Sequence, residues 1–122
     1  MYEISFSPGP DHLRVDLKGD FADPQTRVDA WTEIIKRCRD DGVTRLIVVQ
    51  DSPGGITPTT AFVSSHGVVE LGLEGIRIAF ADLNSANYDV NYLGELIALD
   101  RGADAKVFFD ENAAIEWLLH DQ

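Results

Sequence analysis

The sequence predicts an α/β fold with a mixed, mostly parallel five-stranded sheet and the element order β-β-α-β-α-β-α-β-α. The apolar run Leu46–Val49 is typical of a strand that is buried on both faces of a parallel sheet. Further along the chain, strands alternate with amphipathic helical patterns, which favours right-handed parallel crossovers. Residues 2–18 alternate in polarity around a turn, which adds an antiparallel N-terminal hairpin. The sequence contains no linker, so we expect one domain over residues 1–122.

The hairpin and the first helix have clear boundaries. Apolar residues alternate with polar ones on both sides of the turn at Pro8–Asp11; they are Tyr2, Ile4, Phe6, Leu13, Val15 and Leu17. Asp23 and Pro24 predict a helix start, because Asp caps free N–H groups and proline fits the first turn. Helical spacing then gives one apolar stripe, formed by Val28, Trp31, Ile35 and Cys38. Gly42 predicts the end of this helix.

The second helix follows the central strand and is the least strongly encoded. Thr57 and Pro58 repeat the signal of a cap followed by proline. Helical spacing predicts an apolar stripe formed by Phe62, His66, Val69 and Leu73. Several Thr and Ser residues and the interior Gly67 lower the helix propensity of this segment. We therefore expect it to be the weakest and most mobile helix.

The rest of the chain repeats the pattern of strand and helix. Residues Ile76–Ala81 predict another buried strand, and the polar loop 82–87 follows its carboxyl end. A broadly apolar helix then runs to Arg101 and stops at Gly102. A last strand at Lys106–Phe109 precedes a final helix, which Asp110 caps.

Composition limits the classes of partner. Ten Lys and Arg residues against 21 Asp and Glu residues give a formal charge of −11, which disfavours binding to nucleic acids and anionic membranes. No apolar run approaches the roughly 20 residues that span a bilayer. The first residues lack the pattern of a signal peptide, and Cys38 is the single cysteine. We therefore expect a cytoplasmic protein without disulfides.

The element order and the C-terminal sequence resemble a known family. Arg101-Gly102, the strand residues Lys106–Phe108 and the helix Ala113–Leu118 are similar to the "RG, short strand with Phe, helix with A-x-x-W-L" ending of the small bacterial SpoIIAA-like proteins. These are STAS domains (sulfate transporter and anti-sigma-factor antagonist), and are also described as STAS/SEC14-like. The resemblance covers the whole chain and implies the SpoIIAA-like fold.

The same resemblance implies a regulatory role for the loop Gln50–Gly55. This loop follows the central strand, where open α/β sheets usually bind their ligands. Asp51, Ser52 and Gly54 match the Asp, Ser and Gly at the junction where a partner kinase phosphorylates anti-sigma-factor antagonists and releases a complex. Pro53 and Gly55 depart from that pattern and lengthen the loop. We expect Ser52 to be exposed, so that Ser52→Asp changes partner binding without lowering the melting temperature.

Three alternatives remain open. Ser52-Pro53-Gly54-Gly55 resembles the oxyanion loop of Clp-type proteases, with Ser85 in the place of their nucleophile, although no histidine is well placed as its base. Asp51 and Asp82 end neighbouring strands and form a candidate acid pair for Mg²⁺, but aspartates at such positions more often form turns. The SEC14 label implies a pocket for an apolar ligand, which Phe62 and Val63 would line together with Tyr88 and Tyr92.

We therefore expect a non-catalytic regulatory or protein-binding module. The candidate binding residues are Asp51, Ser52, Gly54, Gly55, Asp82 and Ser85. We expect no catalytic residue, no metal and no cofactor. The expected partner is a protein, and the alternatives are a small apolar ligand such as a lipid, or a second copy of the chain.

Overall fold

The computed structural model describes residues 2–54 and 56–120. These residues form five strands: β1 (Tyr2–Pro8), β2 (Leu13–Gly19), β3 (Arg45–Asp51), β4 (Arg77–Asp82) and β5 (Asp104–Phe108). They also form four α-helices: α1 (Pro24–Asp41), α2 (Pro58–Val69), α3 (Tyr88–Asp100) and α4 (Glu111–Leu119). A short 3-10 turn, Ser85–Asn87, precedes α3. The order of the elements confirms the predicted one.

The five strands form one sheet in the order β1-β2-β3-β4-β5. β1 and β2 are antiparallel, and every later pair is parallel, as the sequence predicts. β3 lies at the centre, and its residues Leu46–Val49 are at most 3% exposed. Because successive side chains of a strand point to opposite faces, β3 contributes to two separate cores. Helices α1, α2 and α3 cover one face of the sheet, and α4 covers the other.

The predicted capping residues mark the helix boundaries. The Asp23 carboxylate accepts a hydrogen bond from the backbone N–H of Gln25 at the start of α1. Thr57 caps α2 in the same way, and Asp110 caps α4. Gly42 ends α1 with a φ of 68°, a left-handed conformation that a residue with a Cβ rarely adopts. These local signals explain why the element boundaries could be predicted.

The buried face of α2 differs from the predicted stripe. Phe62 is 52% exposed, and the buried positions are small residues with one valine: Ala61, Ser64, Ser65 and Val68. A Cβ on Gly67 would lie 2.7 Å from a methyl group of Val28 on α1, and a Cβ on Gly94 of α3 would lie 2.8 Å from the Ser65 hydroxyl. The small residues therefore let α2 approach both neighbouring helices closely, and the large side chains face outwards.

Candidate functional site

Polar side chains meet where β3 and β4 end. Gln50 and Asp82 are register partners on these neighbouring parallel strands, and they are 0% and 3% exposed. Both would be costly to bury without hydrogen-bond partners. The parallel register therefore creates a buried polar cluster at the edge of the sheet where the sequence predicts a site.

The Asp82 carboxylate is the centre of this cluster. Its Oδ2 accepts hydrogen bonds from Gln50 Nε2 at 3.3 Å, Asn87 Nδ2 at 3.1 Å and Asn91 Nδ2 at 3.0 Å. Its Oδ1 accepts one from the backbone N–H of Asn84 at 2.9 Å. Four neutral donors thus satisfy the carboxylate. Asp82 therefore organises the end of β4 and the start of α3.

Ser52 belongs to the same cluster. Its side chain is buried, with the residue 5% exposed, and its Oγ accepts from Gln50 Nε2 and Asn87 Nδ2, each at 3.3 Å. The expectation that Ser52 is exposed is therefore wrong, because the loop turns this hydroxyl inwards to the amides. A phosphate on Ser52 would require the loop to open first. The switch itself stays a prediction.

The other predicted site residues lie around this cluster. Asp51 is exposed and does not join Asp82. Gly54 has a φ of 92°, and a Cβ on it would lie 2.8 Å from Asn84 Nδ2, so the turn requires glycine. Gly55 lies outside the described residues. Ser85 is exposed at the start of the 3-10 turn.

Arg27 on α1 is a buried cation near the cluster. The sequence pattern did not identify it as a candidate site residue. It is 8% exposed, its guanidinium lies 6.0 Å from the centre of the Phe80 ring, and its Nε and Nη1 have no hydrogen-bond partner among the described residues. Burial lowers the pKa of Arg27 to about 10, although the charge of Asp82 acts in the opposite direction. At neutral pH the guanidinium is therefore still charged.

A cavity of about 70 Å³ lies beside Arg27, between the layer of α1, α2 and α3 and strands β4 and β5. We call it the helix-layer cavity. Its walls are mostly apolar and include Trp31, Val68, Phe80 and Ala98. Its polar groups come from Arg27, Ser65, Asn91, Glu95 and Lys106. Asn91 links it to the polar cluster, because its Nδ2 bonds Asp82 while its buried Oδ1 has no partner among residues 2–54 and 56–120.

The helix-layer cavity is not lined by the residues that the sequence suggested for an apolar pocket. Phe62 and Val63 are about half exposed, on the outside of α2. Tyr88 is half-buried against the main core and stacks on the exposed rings of Tyr92 and Phe109, with ring centres 6.3 and 4.1 Å apart. The predicted location of such a pocket is therefore wrong, because α2 turns Phe62 and Val63 outwards and Tyr88 and Tyr92 do not line the cavity.

Two histidines follow the candidate loop in the sequence, His66 and His120. The rings of His66 and Phe62 pack in a T-shaped arrangement with 4.5 Å between their centres, and His120 is exposed after α4. Within the described ranges, neither Ser52 nor Ser85 forms a hydrogen bond with a histidine. No group of three His, Cys, Asp or Glu side chains in this part of the chain is arranged to hold a metal ion. None of the described helices is long and apolar enough to cross a membrane.

No protein-family model and no curated protein matches this chain. Among solved structures, the chain is similar to the crystal structure of an uncharacterized protein from the DUF3478 family, with a SpoIIAA-like fold, from Shewanella loihica. The TM-score is 0.57 at 14% sequence identity, and the match covers 96% of this chain and 93% of that chain. Together with the strand order, this likeness shows that the chain has the SpoIIAA-like fold.

Proposed function

We propose that this protein is a non-catalytic binding module that holds a small, largely apolar ligand in the helix-layer cavity. The supporting observation is the cavity itself, about 70 Å³ in volume and walled by apolar and aromatic side chains with a few polar groups. Apolar walls with a small number of polar groups are typical of ligand sites.

The size of the helix-layer cavity limits the ligand. An apolar cavity of about 150 Å³ holds benzene, so a cavity of about 70 Å³ encloses only a few heavy atoms. Lys106, which is exposed on the edge strand β5, also lines it, and the cavity therefore reaches the surface there. A short chain that begins inside the cavity can extend outwards along this side. The fitting ligand is thus small or slender.

A thermal-shift experiment with 1-hexanol tests this proposal. A ligand that binds only the folded state raises the melting temperature, by an amount that grows with its concentration. We expect such a rise for the wild type and its loss in Ala98→Leu, which fills the cavity. Ala113→Leu is the matched control, because Ala113 is exposed on α4 across the sheet. No rise for the wild type, or an equal rise in Ala98→Leu, contradicts the proposal.

A second candidate function is binding of a protein partner through the outer row of α3. Tyr92, Leu96 and Leu99 are 43–47% exposed, and Phe109 beside them is 60% exposed. Contiguous exposed apolar surface often marks an interaction site. With a formal charge of −11 on the chain, a basic partner is favoured over a second copy. Light scattering of the wild type and Leu96→Lys distinguishes them: a dimer that Leu96→Lys dissociates would favour the second copy.

A further inference from the structure

Arg27 places a buried positive charge on the wall of the helix-layer cavity. Two of its nitrogen atoms have no hydrogen-bond acceptor among the described residues, and it forms no ion pair there. Asp82 contributes through its charge, but four neutral donors already occupy its oxygens. A buried cation without an acceptor destabilises the folded state. The position therefore fits a ligand that accepts hydrogen bonds from the Arg27 guanidinium.

The polar groups around the cavity indicate where an anion would bind. A planar guanidinium donates two parallel hydrogen bonds to a carboxylate, a geometry that favours Arg at such sites. The Ser65 hydroxyl, on the facing helix α2, is a second possible donor at the cavity. Asn91 Oδ1 and the carboxylate of Glu95 would repel an anion on their side. Glu95 also accepts a hydrogen bond from the backbone N–H of Val107.

We propose that the ligand of the helix-layer cavity is a monocarboxylic acid with a short aliphatic chain, whose carboxylate binds Arg27. The inference rests on the proposed binding function and specifies its ligand. One buried cation matches one negative charge, so a monoanion fits better than a phosphate dianion. The chain lies against the apolar walls, including Trp31 and Phe80, and leads towards Lys106.

The test compares hexanoate with 1-hexanol, which keeps the six-carbon chain and lacks the charge, by isothermal titration at neutral pH. We expect wild type to bind hexanoate about tenfold or more tightly than hexanol, as for a charge-assisted hydrogen bond. In Arg27→Met this preference disappears while hexanol still binds. Lys36→Met is the matched control, because it removes one cation from the solvent side of the same helix. We expect it to leave the preference unchanged.

The outcomes separate this inference from the proposed function. If the wild type binds hexanol and hexanoate equally, or if Arg27→Met keeps the preference for the acid, the inference fails and the binding module stands. If the wild type does not bind hexanol, the proposed function fails, whether or not hexanoate binds. If Arg27→Met does not fold, Arg27→Gln provides the same comparison, since it also removes the charge. Inorganic phosphate is titrated in parallel, and binding of phosphate tighter than hexanoate would overturn the choice of a carboxylate.

Discussion

Arg27 occupies a position that helical spacing assigns to the core. It lies on one row of α1 with Trp31, Ile34 and Cys38, all buried. Burial lowers the pKa of its guanidinium to about 10, below its ordinary value. The folded state therefore binds this proton less tightly than the unfolded chain, and the charged form costs stability at every pH below about 10. Such a residue reduces stability and needs another reason for its presence.

We predict that Arg27→Met stabilises the protein in the absence of ligand. Replacing a buried charge by an apolar side chain of similar length removes the desolvation cost, and the loss of the contact with Phe80 offsets only part of this gain. The expected increase in the free energy of unfolding is about 1–2 kcal/mol, measured by urea denaturation. A decrease of similar size would instead assign Arg27 a structural role. Lys36→Met, on the exposed side, should change stability by less than about 0.5 kcal/mol.

Ser52 gives the second prediction at this scale. Its hydroxyl accepts from Gln50 and Asn87, whose amides also bond Asp82, so Ser52→Asp would add a second carboxylate to one buried cluster. We expect a loss of more than about 2 kcal/mol in the free energy of unfolding, measured by thermal or urea denaturation. Ser85→Asp, at an exposed position, should change it by less than about 0.5 kcal/mol. Equal effects would mean that the Ser52 loop opens readily, as a phosphorylation switch requires.

At the scale of elements, α2 shows how small residues determine packing. Gly67 would place a Cβ 2.7 Å from Val28, whose branched side chain has little freedom to rotate in a helix. Alanine is favoured over glycine in a helix by about 1 kcal/mol, but overpacking costs typically about 1–3 kcal/mol. We therefore expect the cost of overpacking α1 against α2 to exceed the gain in helix propensity from alanine.

We predict that Gly67→Ala lowers the free energy of unfolding by about 1 kcal/mol, despite its better helix propensity. In the background of Val28→Ala, which removes the two methyl groups, the same change should be neutral or stabilising. A double-mutant cycle by urea denaturation measures this coupling, expected at about 1 kcal/mol or more. Additive effects of the two substitutions would show that α1 and α2 do not pack this closely.

The boundaries of the elements could be predicted, but the buried face of α2 could not. Boundaries depend on local chemistry: Asp23, Thr57 and Asp110 cap free N–H groups, and Gly42 adopts a left-handed conformation. The face that a helix buries depends on what packs against it. Apolar periodicity predicted that Phe62 is buried. In the structure, α1 and α3 approach α2 so closely that only small residues fit between them.

At the scale of the molecule, the two faces of the sheet differ. Three helices cover one face and α4 covers the other, and the helix-layer cavity lies on the three-helix side. The core under α4 consists of small and branched residues in direct contact: Ile47, Val49, Ala79, Ala81, Ala114 and Leu118. The apolar cavity therefore lies on the three-helix side of the sheet, and the face under α4 is packed without one among the described residues.

Part of the candidate site could be predicted, because strand ends can be identified from sequence. Ser52 and Asp82 follow apolar runs, and parallel pairing brings them to one edge of the sheet. Asn87 and Asn91 were missed because their role depends on the start of α3 after the 3-10 turn. Arg27 was not predicted as a site residue, although it precedes Trp31 by four positions and therefore lies on the same face of the helix. A charged residue on an apolar row is the signal that would have found it.

The most direct test of the account is an NMR titration of the ¹⁵N-labelled protein with hexanoate, with amide chemical shifts followed residue by residue. We predict saturable shifts that cluster at Arg27, Ser65, Asn91 and Ala98, around the helix-layer cavity. The amides of α4, across the sheet, should not move. Shifts confined to the outer row of α3, formed by Tyr92, Leu96 and Leu99, or no saturable shift at any residue, would contradict the claim that this cavity is the binding site.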